Sequence, residues 1–395
     1  MSAAVPAAAA GRPLRIGILT DGLVERDGAA GPEIANGGVG VYVRQLITHL
    51  RRIDAVNTYV TIRLGPGRLD VFTADGGRHH IALPGSLAHR LAARFDLPYR
   101  RLARDFALDL LHYPNQFGGA FLPPATRRVV TLHDITPLLF PTQHPAVRVV
   151  GYRFLLRRAL RRADHVIVDA AHTAEDLVTR GLVDRQRLSV VPLAADERFT
   201  PNVGAAAVAT RYGLPARYLL TVGVLEPRKN HRRLVEALAR LHAAGEAVHL
   251  AIVGREGWRW RDPLAEPALA PLRPFVHLLR NVPDADLPAL YGGAAAFVYP
   301  SLYEGFGLPL VEAMACGTPA VASRAASLPE VAGDAALLVD PYDVGALADA
   351  MRAVLGDAAL AARLREAGLR RSRELSWRRT AEATRAVYER VCRGA

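Results

Sequence analysis

The sequence predicts an α/β protein built from two doubly wound domains that face one another, and three observations carry that expectation. The chain has 395 residues, more than one hydrophobic core usually holds. Short apolar runs of strand length alternate with helical stretches, the pattern of parallel sheets covered by helices on both faces. The alternation comes in two series, separated between Ala194 and Ala216 by a stretch with Pro201, a run of small residues and Gly213-Leu214-Pro215, which reads as a linker.

In chain order, residues 1–13 form an alanine-rich segment with no basic stretch ahead of a hydrophobic one, read as a disordered tail and neither a signal peptide nor an anchor. The first domain, 14–195, starts with an apolar strand from Leu14 to Leu19. The loop from Asp21 to Asn36 is long for such a unit, which marks it as functional. Gly37-Gly38-Val39-Gly40 then opens a helix to about Leu50. Strand, glycine-rich turn and helix begin a Rossmann-like half. The spacing of Gly37, Gly38 and Gly40 is not G-x-G-x-x-G, so tight strand–helix packing explains these glycines as well as a ligand does. Further strands are expected at Thr58 to Arg63, Leu110 to Tyr113, Arg128 to Leu132, His165 to Asp169 and Ser189 to Leu193, with Pro66 to Leu91 read as a variable loop. Beyond the linker (196–216), a second domain (217–375) shows strands at Tyr218 to Leu225, Val248 to Gly254, Val276 to Val282, Ala295 to Tyr299, Pro319 to Ala322 and Ala335 to Asp340. In the final segment, 376–395, Ser376 suits the cap of a last helix running to about Val391.

Half the residues are hydrophobic and 22% charged, a globular enzyme's composition rather than a disordered chain's. The net charge of +12 and pI near 10.2 invite a nucleic-acid or anionic-membrane reading. Yet of 50 basic residues only Lys229 is a lysine, and the arginines are spread over the whole chain, a compositional bias rather than a binding face. Nucleic acid is therefore discounted. Lys229 itself is informative, since a compact ammonium and a planar guanidinium are not interchangeable where a phosphate is gripped closely; chance survival of one lysine reads the same. Two cysteines, Cys316 and Cys392, are too few for a disulfide framework or a zinc cluster. No run is long enough to cross a bilayer, so the expected location is cytoplasmic.

The most informative stretch runs from Ser301 to Pro319, after the apolar run Ala296 to Tyr299. Pro309 suits a first helical position and Gly317-Thr318-Pro319 stops the helix, so Glu304 is expected on a strand-to-helix loop and Glu312 in the first helical turn. Gly305 and Gly307 leave amide N–H groups uncovered, and the helix start adds unpaired donors and partial positive charge that favour phosphate. Ionised carboxylates on either side suit hydroxyl groups, which donate to them. Sugar, diphosphate and ribose fit that order. By spacing alone, the two acids would equally be a solvated loop residue and an acid favoured by the helix dipole. His133-Asp134 lies at a strand's carboxyl end, as general-base machinery or as a capping Asp beside a structural His. Arg228-Lys229 sits between a strand and a helix start, where it suits a diphosphate or a solvated basic face. Val253-Gly254 and Arg280-Asn281-Val282 end neighbouring strands on the same edge and are candidates for backbone contact with a base. From Gly151 to Arg162, Arg153, Arg157 and Arg161 share a helical face, with Phe154, Leu155, Ala159 and Leu160 expected largely elsewhere. Such a face is solvated, or docks on anionic lipid.

Tyr303-Glu304-Gly305-Phe306-Gly307-Leu308-Pro309, followed by Glu312-Ala313-Met314-Ala315-Cys316-Gly317-Thr318-Pro319, closely resembles the donor-site motif of the family-4 retaining glycosyltransferases. Thr131-Leu132-His133-Asp134-Ile135-Thr136-Pro137-Leu138-Leu139 resembles that family's acceptor-domain histidine motif, and Glu226-Pro227-Arg228-Lys229-Asn230 its phosphate-binding motif. The resemblance covers most of the chain and is strongest from Leu219 to Pro341. It implies a GT-B fold whose last helix crosses back to the first domain, and transfer of a hexose of mannose or glucose type from a nucleotide diphosphate sugar with retention of configuration. It implies catalytic roles for His133, Glu304, Arg228 and Lys229, with His133 touching the donor sugar and Asp134 supporting it. Glu312 would hold the ribose, and Gly305, Phe306, Gly307, Leu308 and Val282 would line the donor site. Gly37, Gly38 and Gly40 would face the donor phosphates and acceptor across the cleft. The Glu226 to Asn230 pattern resembles mannosyltransferases that use GDP-mannose. Asp284-Ala285-Asp286 is spelled like the D-x-D of metal-dependent transferases, but it stands at a helix start where Asp caps, so no metal and no other cofactor is expected. The expected partners are the nucleotide-sugar donor and a glycan, lipid-linked or small-molecule acceptor; peripheral contact with an anionic membrane, at its inner face, through the Arg153 to Arg162 helix is the alternative to a solvated face. A GT-B nucleotide-sugar epimerase, or a binder that does not transfer, is the alternative.

Overall fold

The computed structural model describes residues 12–20, 37–65, 68–73, 76–82, 97–115, 126–143, 146–201 and 204–394. Most of the predicted tail and the predicted loop from Asp21 to Asn36 lie outside them. The first sheet contains β1 (Arg15–Leu19), β2 (Thr58–Gly65), β3 (Arg68–Phe72), β4 (Arg78–Ala82), β5 (Leu110–Tyr113), β6 (Arg127–Leu132), β7 (His165–Val168) and β8 (Leu188–Val190), in the order β4-β3-β2-β1-β5-β6-β7-β8. The second contains β9 (Tyr218–Val222), β10 (His249–Val253), β11 (Val276–Leu279), β12 (Ala296–Tyr299), β13 (Ala320–Ser323) and β14 (Ala336–Val339), in the order β11-β10-β9-β12-β13-β14, with every pairing parallel.

In both sheets the first strand is central and the chain leaves it first to one side and then to the other. The carboxyl ends of β1 and β5, and of β9 and β12, are therefore switch points, where diverging loops leave a crevice. The β12 residues Ala296, Phe297, Val298 and Tyr299 are all buried, as a strand covered on both faces requires. Three apolar clusters cover the sheets; one lies against the outer face of each, and the third runs through both domains by way of the last helix.

Three expectations are corrected. The segment read as a variable loop holds β3 and β4, which pair antiparallel with β2 and with each other. Leu69 and Val71 bury their side chains there, and Asp70, 1% exposed, is surrounded by Arg63, Arg68 and His80. The predicted linker contains a helix, Ala205–Arg211, packed on Leu287–Gly293. Finally, β8, β9 and β11 stop at Val190, Val222 and Leu279, short of the predicted Leu193, Leu225 and Val282, although Gly223 N and Leu225 N still donate to Val253 O and Arg255 O, each at 2.9 Å.

The last helix, Trp377–Arg393, starts as predicted, with the Ser376 hydroxyl accepting from Arg379 N at 3.2 Å. It buries Trp377, Thr380, Ala381, Thr384, Val387 and Tyr388, one stripe at helical spacing. That stripe packs on Gly37–Ile53 of the first domain, and the Tyr388 hydroxyl lies 2.6 Å from His112 Nδ1. The crossing back to the first domain is present.

Candidate active site

Two loops build the second domain's side of the crevice. One follows β9 and includes the 3-10 turn Pro227–Lys229; the other follows β12 and leads into the helix Leu308–Ala315. They are joined by one backbone hydrogen bond and by the Asn230 side chain. Leu302 N donates to Arg228 O at 2.8 Å, and Asn230 Nδ2 donates to Pro300 O at 3.1 Å and Pro341 O at 2.7 Å. The Ser327 hydroxyl, 2.9 Å from the carbonyl oxygens of both Glu304 and Phe306, pins the second loop from beneath.

Within this frame the predicted catalytic side chains of the second domain meet directly. Glu304 Oε1 accepts from Lys229 Nζ at 2.6 Å and Oε2 from Arg228 Nη1 at 2.7 Å. Lys229, only 7% exposed, also donates to the Tyr299 hydroxyl at 2.7 Å. Arg228 Nη1 donates to Tyr303 O at 2.8 Å, and its Nε is 2.5 Å from Glu226 Oε1. Burial alone would raise the Glu304 carboxyl, but Arg228 and Lys229 overcome it and hold it down at about 2. Burial instead prevails at Glu226, raising its carboxyl against the pull of Arg228 and Lys229, and at Lys229, lowering its ammonium against the pull of Glu304. Glu304 thus carries the settled negative charge of the cluster. In this structure it is the counter-ion of the two cations expected to hold a phosphate.

Glu312 differs from its predicted position. The helix begins at Leu308, so Pro309 is its second residue and Glu312 its fifth, in the second turn. The early start follows from Gly307, whose left-handed φ of +104° lets the chain turn straight into the helix. Glu312 is half-buried and accepts from the Tyr291 hydroxyl at 2.9 Å. Burial, reinforced by Asp284 and Asp196 against Tyr291 and Arg198, pushes its carboxyl up to about 7. Between the two acids, the amides of Gly305, Phe306, Gly307 and Leu308 donate to no protein acceptor among the described residues. Phe306 and Leu308 bury their side chains, so they offer a ligand mainly backbone.

The first domain meets this loop at His133. A side chain at Gly305 would place its Cβ 1.7 Å from the His133 carbonyl oxygen, so only glycine permits the approach. His133 Nδ1 is 2.6 Å from Asp169 Oδ2, its Nε2 is 3.2 Å from Pro114 O, and the Tyr42 ring meets it edge-on with centroids 4.8 Å apart. Both ring nitrogens face acceptors, which suits an imidazolium. Burial opposes that charge, yet Asp169, with help from Asp134 and the Pro114 carbonyl, raises the ring above its ordinary value.

Asp169 was not singled out from sequence. The hydrogen bond of the His133 ring is made with Asp169, while Asp134 supports the ring's charge through space; Asp134 Oδ1 accepts from Thr136 N at 3.0 Å and Thr136 Oγ1 at 2.7 Å, at the start of the short helix Thr136–Leu139. The capping expected of Asp284-Ala285-Asp286 is also corrected, at Asp286. It occupies the position before Leu287, but its carboxylate takes hydrogen bonds from Arg211 and the Tyr212 hydroxyl rather than the helix amides. Gly37, Gly38 and Gly40 open their helix as expected, and Gly38 lies across from Leu308, the start of the donor-side helix. Val282 buries its side chain in the core. The loop is further clasped by Tyr303, whose hydroxyl donates to Asp176 Oδ2 at 2.8 Å, and beside it Glu330 of the helix Leu328–Ala332 accepts from the backbone N–H groups of Ala171 at 3.1 Å and His172 at 3.2 Å.

Residues 36–199 match the family model Glycosyltransferase Family 4, and residues 212–371 match Glycosyl transferases group 1. The chain is 34% identical over 292 residues to O-antigen chain mannosyltransferase B of Escherichia coli, covering 72% of this chain and 75% of that protein. It is 30% identical over 398 residues to D-inositol 3-phosphate glycosyltransferase of Kineococcus radiotolerans, covering 90% and 91%. Sucrose-phosphate synthase from Thermosynechococcus elongatus shares the fold, with a TM-score of 0.73 at 22% identity over 97% of this chain and all of that one. None of these is an epimerase or a non-transferring binder. The chain belongs to the family-4 glycosyltransferases: it is a GT-B enzyme that transfers a hexose from a nucleotide sugar, retaining the sugar's configuration.

Proposed function

We propose that this glycosyltransferase moves mannose from GDP-mannose to a hydroxyl of a glycan, lipid-linked or small-molecule acceptor, with its donor held between β9, β12 and the first domain. The observation that carries the residue assignment is the buried contact of Glu304 with Lys229 and Arg228, beside four uncommitted amides at a helix start. A mannosyltransferase relative supports the sugar.

On this reading the diphosphate accepts from the amides of Gly305 to Leu308 and from Lys229 and Arg228, displacing Glu304 from them. Glu304 then accepts from a sugar hydroxyl, and Glu312 from the ribose hydroxyls. His133 turns its Nε2–H from the Pro114 carbonyl towards the donor sugar, while Asp169 keeps Nδ1 and so fixes the ring. The acceptor oxygen bonds to the anomeric carbon as that carbon's bond to the phosphate oxygen breaks, and the acceptor proton leaves with the nucleoside diphosphate. No side chain forms a covalent intermediate. The two cations and the amides meet the leaving charge in a site closed to water, so no cofactor is assigned to that task. The arginine helix would bring the enzyme to an anionic membrane surface.

A thermal-shift panel of GDP- and UDP-sugars tests the donor. GDP-mannose at a hundredfold excess over its dissociation constant should stabilise the fold by about 2.7 kcal/mol. Stabilisation by UDP-sugars alone would overturn the choice of base.

A further inference from the structure

A buried polar chain runs from the last helix to His133. The Tyr388 hydroxyl lies 2.6 Å from His112 Nδ1, and His112 Nε2 is 2.8 Å from Thr131 Oγ1. Thr131 Oγ1 is in turn 2.9 Å from the Tyr42 hydroxyl, and the Tyr42 ring stands against the His133 ring, with centroids 4.8 Å apart and planes at 76°. The four side chains come from the last helix, β5, β6 and the helix Gly37–Ile53, and none is more than 1% exposed. Burial, with the His133 charge adding to it, pushes His112 down to about 3, so its ring is neutral. A neutral imidazole carries one N–H, so His112 donates to one neighbour and accepts from the other. The chain is therefore directional, and a buried network whose links are all paired rigidifies what it holds. Trp377 adds a second contact from the last helix, its ring centroid 6.3 Å from that of Tyr42.

We propose that Tyr42 is a positioning residue for His133, held in place from the last helix through Tyr388, His112 and Thr131. The hydrogen bond between His133 Nδ1 and Asp169 fixes one point of the imidazole, and a plane hinged at one point still swings. The Tyr42 ring, close to perpendicular to the imidazole, blocks that swing on one side, which narrows the path Nε2 takes away from Pro114. Burial, with Asp169 adding to it against Thr131, holds the Tyr42 phenol above its usual range, so Tyr42 acts by shape and not as a base. The last helix follows the second domain in sequence, so the histidine of one domain is aligned by the chain leaving the other. This role rests on the assignment of His133 to the donor sugar.

The test is hydrolysis, by the full chain, of the nucleotide sugar that stabilises it best, with water in the acceptor's place. Tyr42→Leu should lower kcat about 10- to 100-fold, the cost of misplacing a reacting group, with the donor KM unchanged. Tyr42→Phe keeps the ring and should recover most of that loss. Tyr42→Phe and Tyr388→Phe cut the chain at its two ends; each should cost about fivefold in kcat, as for one hydrogen bond, and together no more than either alone. Tyr388→Phe keeps the test decisive where Tyr42→Leu does not fold. In a His133→Ala background, Tyr42→Leu should cost nothing further. Wild-type kcat in Tyr388→Phe and Tyr42→Leu, a rise in KM in place of the fall in kcat, or an undiminished loss in the His133→Ala background would overturn the proposal. Wild-type turnover by His133→Ala itself would refute instead the assignment on which the proposal rests.

Discussion

Glu304 and Glu312 belong to one stretch of sequence, yet their surroundings give them opposite electrostatics. Glu304 lies between Lys229 and Arg228 at 2.6 and 2.7 Å and stays ionised down to about pH 2. Glu312 has a phenol at 2.9 Å and titrates near 7, because burial and the nearby acids Asp284 and Asp196 outweigh Arg198. Neighbours decide the charge of a buried carboxylate, and the spacing of the motif does not. One acid is the fixed counter-ion of Lys229 and Arg228, which the proposed donor pose would turn to the sugar, and the other is a titrating acid, which that pose would set against the ribose.

Glu304→Gln breaks this comparison hardest. It leaves two buried cations without their main partner, and urea unfolding should show a loss of about 3–5 kcal/mol. The accompanying loss of activity should be flat across neutral pH, since Glu304 does not titrate there. Lys229→Ala should come next, with turnover falling about 10²–10³-fold, or roughly 2.7–4 kcal/mol of transition-state stabilisation. Turnover near wild type, followed by the anomeric signal of the product, would remove Lys229 from the site.

Glu312→Gln sharpens the contrast. In the proposed donor pose, it is the ionised Glu312 that accepts the ribose hydroxyls. Donor affinity should therefore weaken as pH falls through about 7, by at most about tenfold per pH unit. The variant should bind roughly tenfold or more weakly, as expected for losing a hydrogen bond to a charged group, with little change in kcat and no pH dependence of KM. The smallest effect is expected for Asp169→Asn. Asp169 raises the His133 pKa, so the charged ring persists to higher pH in the wild type. Without that carboxylate, the alkaline limb of the rate profile should move to lower pH by about 1–3 units.

The parallel strands were legible because fully buried strands read as continuous apolar runs, as at Ala296 to Tyr299. β3 and β4 were not, since Arg68, Asp70, His79 and His80 break the apolar pattern and only the folded sheet brings Arg63, Arg68 and His80 to Asp70. In the site, Glu304, Lys229 and Arg228 were recognisable because their chemistry sits in contiguous motifs. Asp169 was not, because it reaches His133 from 36 residues away at the end of β7. Its one local signal was an acid directly after an apolar strand. Asp134 was preferred for adjacency, but successive side chains of extended backbone point apart, and Asp134 turned to Thr136. Tyr291 and Tyr299 likewise reach Glu312 and Lys229 only through the packing of the second domain.

The central claim, that the two acids serve opposite ends of one donor in different charge states, is tested most directly by calorimetry of GDP binding near pH 7 in two buffers of different ionisation enthalpy. In the wild type Glu312 should contribute about half a proton to the release per GDP bound, because the ribose draws it into its ionised form. Glu312→Gln should release about half a proton less, leaving only what the GDP phosphate itself gives up. Equal proton release by both proteins would contradict the account.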